Sequence, residues 1–164
     1  MKKNVLLTTI AFSLILMINS FIYAETATKA DAMDSIKKAN GILTAKKDAG
    51  LADIENLNKD LLAQKGIYVY VMTLNDGILV VHPKLKGKNI TNLTDKNGKK
   101  FIQDQQKIVK DGKSGWVDYL WPNPITTQIE HKNTYVEKAS VQIKGNDGKI
   151  QDVMLACGIS FDAK

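Results

Sequence analysis

The residues able to do chemistry are few, and their spacing favours binding over catalysis. His82 and His131 stand far apart, with no close Cys or His to complete a ligand set, so no metal site is expected. The turn at Asp95 to Asn97 carries too few oxygens at the required spacing for a calcium loop. The single cysteine, Cys157, lies inside the apolar run Val153 to Ile159, which suits a buried, inert thiol. No Gly-x-Ser-x-Gly elbow and no activated Cys–His pair is present. Asp118 and Glu130 flank a Pro-containing turn, where solvated charges are expected rather than a catalytic pair. No catalytic residue and no cofactor is therefore expected. One segment does hold matched side chains: on a regular strand through Gly115 to Pro124 (GWVDYLWPNP), Val117, Tyr119 and Trp121 share a face.

Bulk properties narrow the classes further. The 164 residues suffice for one domain with a real core. The formal charge of +6 falls to +4 once Lys2 and Lys3 are set aside. Every basic residue is Lys, and the lysines are scattered. Without Arg for bidentate recognition, a nucleic-acid partner is not expected. Lys2 and Lys3, an apolar stretch from Val5 to Ile18 and a more polar approach to Ala24 have the layout of a secretory signal, with Ile22 an unusually large residue near the cut. Cleavage after Ala24 would leave a protein in the periplasm or secreted. The stretch is shorter than the ~20 apolar residues a spanning helix needs. One thiol forms no internal disulfide, so packing must supply the stability.

The elements that must position these residues follow from periodicity. Ala32, Met33, Ile36, Ala39 and Leu43, then Leu51, Ile54, Leu57 and Leu61, recur at helical spacing, with a break at Gly50 and an end at Gly66. Ile67 to Leu74 is apolar on both parities, as a strand covered on both faces should be. Asn75-Asp76-Gly77 predicts a tight hairpin into Ile78 to His82. Lys84 to Lys99 reads as a polar, Gly-punctuated loop and Phe101 to Lys110 as a short helix. Strands are predicted at Ser114 to Trp121, His131 to Ser140 and Ile150 to Phe161, the last two joined around Gly145 to Gly148. The order predicts a mixed α/β (α+β) fold: a PAS-like central antiparallel sheet with a long N-terminal helix packed against it and a pocket on the other face.

Tyr68 to Ile102 (YVYVMTLNDGILVVHPKLKGKNITNLTDKNGKKFI) resembles the first half of a single Cache domain. GWVDYLWPNP, followed by Lys132 and Tyr135-Val136, is similar to that family's second signature. The resemblance runs from about Ile67 to Ile159. It implies a domain of residues 25–164 behind a signal at 1–24, with leading helices at 28–65 and the PAS-like sheet at 67–161. It also implies an extracytoplasmic sensor whose pocket takes a short organic acid. Such domains usually sit between two membrane helices of a larger receptor. Lys164 follows soon after the last strand, so an output through a membrane-bound signalling or transport partner is expected.

A carboxylate needs a cation or strong donors between apolar walls. The resemblance assigns the cation to Lys132. Tyr119 and Tyr135 offer hydroxyls, Trp121 and Tyr70 flat walls, and His82 a donor or acceptor at the strand end. Packing competes with each aromatic role, at Tyr70 and Trp116 above all. Lys132 and Tyr135 differ by three, so a regular strand sends them to opposite faces. Both line one pocket only if Lys132 precedes the strand or a bulge intervenes. The alternative function is a structural or interaction module, a homodimer formed by the N-terminal helix through Met33, Ile36 and Leu43.

Overall fold

The computed structural model describes residues 26–145 and 147–161; the predicted signal lies outside them. Helix α1 (Lys29–Lys46) begins at a capping box: the Thr28 hydroxyl accepts from the Asp31 amide, and the Asp31 carboxylate accepts from the Thr28 amide at 2.8 Å. A short 3-10 turn, Lys47–Gly50, leads into α2 (Leu51–Lys65), which Gly66 ends in the left-handed conformation at φ 65°. The break predicted at Gly50 is this turn.

Strands β1 (Val69–Thr73) and β2 (Leu79–Val81) form the predicted hairpin. Its turn needs glycine at Gly77, where φ is 67° and a Cβ would stand 1.9 Å from Thr91 Oγ1. Helix α3 (Phe101–Lys110), β3 (Gly115–Pro122) and β4 (Ile129–Lys138) follow. The predicted final strand is split. β5 (Ile143–Lys144) and β6 (Ile150–Gln151) pair in a small sheet of their own, and only β7 (Val153–Phe161) enters the main one. The apolar pattern runs across the division, so it hid a change of partner at Asp152, whose carboxylate meets Lys138 at 2.7 Å and whose carbonyl accepts from the Leu74 amide.

The main sheet is antiparallel, in the order β2-β1-β7-β4-β3, so the last strand is central. Its two faces carry separate cores. Val69, Val71, Leu155 and Cys157 meet the α1 stripe of Ala32, Ile36, Ala39 and Leu43. Tyr70, Met72, Met154, Ala156, Val117 and Tyr119 meet α3 and the 82–100 loop. Every residue of β1 is buried, as its two-sided apolar pattern requires. Asn58 ties α2 to this frame: its side chain donates to the Val69 carbonyl at 2.7 Å and accepts from the Val69 amide at 2.8 Å.

Candidate ligand-binding site

The site lies between the sheet face away from α1 and a roof made of α3 and the 82–100 loop. The loop is pinned at both margins. Beside β2, the Gly87 amide donates to the Leu79 carbonyl at 2.7 Å, and the Leu79 amide to the Lys88 carbonyl at 3.0 Å. Beside β3, one Asp95 carboxylate oxygen accepts from the Asn97 and Lys99 amides and the other from the Leu120 amide at 3.0 Å. These bonds, that from Leu120 foremost, hold the Asp95 pKa below the ordinary carboxylate range. The Asp turn is thus a clasp between roof and sheet. Leu85, Ile90, Leu93, Phe101 and Ile102 point inward from the roof.

Tyr68, Tyr70, Tyr119, Trp121 and His82 complete the walls of a cavity of ≈ 20 Å³, room for about one water molecule. An outer cleft of ≈ 260 Å³ between Pro83 to Leu85 and Trp121 to Pro124 shares Tyr68, His82, Leu85 and Trp121 with it. Val117, Tyr119 and Trp121 do share a face, and Phe101 stacks on Tyr119 with ring centroids 3.9 Å apart and planes within 7°. The Tyr119 hydroxyl is 2.9 Å from Thr134 Oγ1, and burial pushes its pKa up to about 12. Tyr70 donates to Gln105 Oε1 at 2.5 Å. His82 Nδ1 accepts from the Lys84 and Leu85 amides, each at 3.0 Å, which leaves the proton on Nε2. Burial, with Lys84 assisting, lowers its pKa to about 4, so the ring is neutral at pH 7.

Lys132 is 2% exposed and sits opposite Tyr119 on β3 and Ser160 on β7. Its ammonium makes no hydrogen bond or ion pair with any described residue. Desolvation lowers its pKa, against weaker opposing pulls from Cys157 and Glu130. Its stem runs over Gly158, where a Cβ would stand 2.5 Å from Thr134 Oγ1 and 3.5 Å from Lys132 Cδ. Bare backbone at Gly158 therefore makes the space that Lys132 and Thr134 occupy.

Of the six residues singled out in the sequence, the fold brings Tyr70, His82, Tyr119 and Trp121 to one cavity and Lys132 to the same sheet face. Tyr135 is not brought there. β4 is paired without a bulge across both neighbours, so Lys132 and Tyr135 face opposite ways. Tyr135 packs on Trp116, centroids 5.2 Å apart, on the α1 side. Sequence reasoning passed over Tyr68, Thr134, Gly158 and the inward residues of the loop. It also passed over Gln105, fully buried among the apolar residues of α3. Glutamine on an apolar helix stripe was the available signal.

A family model described as Single Cache domain 2 matches residues 2–140. The match begins within the predicted signal and stops short of β7, although the sheet carries the folded unit to Phe161. Among solved structures, the chain is similar to a periplasmic sensor domain of a chemotaxis protein at 24% identity and TM-score 0.62, covering 81% of this chain and 94% of that one. A Cache chemosensory domain, solved for the structural basis of carboxylic acid recognition, is similar at 24% identity and TM-score 0.61, covering 81% and 92%. A methyl-accepting chemotaxis protein from Vibrio parahaemolyticus follows at 19% identity and TM-score 0.54, covering 82% and 88%. At these identities the likeness shows a common fold.

Proposed function

Because the chain belongs to the single Cache domain family, we propose that it is an extracytoplasmic sensing domain, not an enzyme, that binds a short carboxylate between its sheet and roof. The observation that carries this reading is Lys132. A buried ammonium without an ion-pair partner is costly, and an anion delivered into the cavity would offset that cost. The aromatic walls exclude water and so strengthen the attraction. Carboxylic acid recognition by a similar chemosensory domain supports the choice of anion.

A cavity of ≈ 20 Å³ admits no organic acid as it stands, so binding displaces the roof. That coupling is what a sensor requires, since a ligand shifts a conformational equilibrium only by favouring one state. Export directed by residues 1–24 and a membrane-bound signalling or transport partner belong to the same proposal. The interaction module gains nothing from the packing: Ile36 and Leu43 are wholly buried against the sheet, and of the three residues named only Met33, 45% exposed, is available.

Lys132→Met tests the reading by calorimetric titration with acetate and propionate. Binding is expected to be lost while the melting temperature holds or rises, because a methionine packs where an unpaired cation stood. Equal affinity in the variant would remove Lys132 from the site.

A further inference from the structure

Two Asn-Gly pairs occur in the chain, Asn40-Gly41 and Asn97-Gly98. Asparagine is chemically labile, and a following glycine leaves the next backbone nitrogen unshielded by any Cβ. Alike in sequence, the two pairs are held differently by the fold. Asn40 lies within α1, where the helix ladder engages the Gly41 amide. Its side chain is tied at both ends: Nδ2 donates to Ser140 Oγ at 3.1 Å and Glu137 Oε1 at 3.4 Å, and Oδ1 accepts from the Ser140 amide at 3.0 Å. The Asn40 carboxamide and the Gly41 nitrogen meet only if that part of the helix unwinds.

Asn97 sits at the other extreme. It and Gly98 are exposed in the turn of the roof clasp, and no described residue bonds the Asn97 side chain. Gly98 has φ 80° and open space where a Cβ would stand. Among the described residues, one bond engages its nitrogen, to the Asp95 carbonyl at 3.0 Å. An exposed turn bond of this kind opens far more often than the middle of a packed helix. Lys96 and Lys100 flank the pair, and their charge favours the deprotonated amide nitrogen that attacks.

We propose that Asn97 is a site of spontaneous deamidation in the folded protein, and that the change loosens the roof. The Gly98 nitrogen attacks the Asn97 carboxamide carbon. That bond forms, the bond from the same carbon to the amino nitrogen breaks, and ammonia leaves with the Gly98 amide proton. Water then opens the succinimide ring at either carbonyl, giving aspartate or isoaspartate, and nothing is oxidised or reduced. Isoaspartate routes the main chain through the former side chain and lengthens the turn by a methylene. The turn has no slack for it. The Asp95 amide donates to the Lys99 carbonyl at 3.0 Å, while Asp95 Oδ1 accepts from the Asn97 amide at 2.8 Å and the Lys99 amide at 2.9 Å. Those bonds hold Asp95 with its other oxygen on the Leu120 amide, so the clasp to β3 goes with them.

The test is mass mapping of chymotryptic peptides after weeks of incubation of the folded protein at mildly alkaline pH, with a sample in urea alongside. In the folded sample the peptide holding Asn97 is expected to gain the mass of an amide-to-acid exchange and to split into aspartate and isoaspartate forms. It should do so on the order of ten-fold or more faster than the peptide holding Asn40. In urea the two rates should converge, since only the fold separates them. Hydrogen exchange is then expected to be faster at the Leu120 amide of the isoaspartate form than in fresh protein, while Asn97→Gln, aged the same way, keeps the fresh rate. Asn97 unchanged in the folded protein, or converting no faster than Asn40, overturns the site. A difference that persists in urea overturns the role given to the fold, and unaltered Leu120 exchange overturns the effect on the roof.

Discussion

His82 shows how much a single side chain is asked to do. Its Nδ1 caps the first turn of the roof loop by accepting two amides, and its ring packs edge-on against Tyr68 at 5.0 Å. The acceptor role needs the neutral imidazole, and burial lowers the folded pKa to about 4. The unfolded chain takes up the same proton near the ordinary value of about 6.5. Between those values the unfolded state binds more protons, so stability is full above about pH 6.5 and falls as pH drops towards 4, by up to about 3 kcal/mol. His82→Asn keeps an acceptor for the two amides but does not titrate. Urea melts across that window should therefore decline less steeply with acid in the variant than in the wild type. Parallel declines would mean that the folded-state pKa of His82 is not depressed. His82 beside Pro83 reads from the sequence as a donor or acceptor at a strand end; its two amide partners and its burial came only with the fold.

At the scale of elements, the informative piece is the roof. Leu85, Ile90 and Leu93 all turn inward, yet their spacing matches neither a helix nor a strand, so the segment reads as a polar loop. Its shape comes from backbone bonds to β2 and from the Asp95 clasp to β3 rather than from its own periodicity. With little secondary structure of its own, the segment is the natural part to move. Hydrogen exchange should show this: saturating ligand is expected to change the exchange of amides in residues 85–99 while those of β1 and β7 stay fully protected. Unaltered exchange throughout the roof would contradict displacement on binding. Strand geometry likewise explains Tyr135. Strand parity alone sends it away from Lys132, and the unbroken β4 pairing enforces that parity.

At the scale of the whole molecule, one sheet separates two cores with different work. The α1 side is mainly aliphatic, with Trp116 and Tyr135 packed against it, and buries Cys157, whose thiol burial pushes up to about 12. The other side holds the aromatic and polar residues around the cavity. A sensor of this design has to reach its ligand outside the cytoplasm, and Lys2, Lys3 and the apolar stretch after them supply the export reading. Mass determination on exported protein is expected to find a chain beginning at Glu25. An exported chain that retains Met1 would show that the segment stays attached. No helix among the described residues is long and apolar enough to cross a membrane.

The chain's own pattern determined the helices, the hairpin, the succession of β1 to β4 along the chain and the family, because these depend on local periodicity, turn chemistry and motif order. It also placed Tyr119 and Trp121 side by side, since parity along one strand is a local property. The tertiary structure alone decided which face holds the cavity, that Lys132 lies buried without an ion-pair partner, and that Gln105 is wholly buried beside Tyr70. Those facts depend on β7 entering the centre of the sheet and on the roof folding back over it. Such contacts join residues far apart in the chain, and no local spacing encodes them.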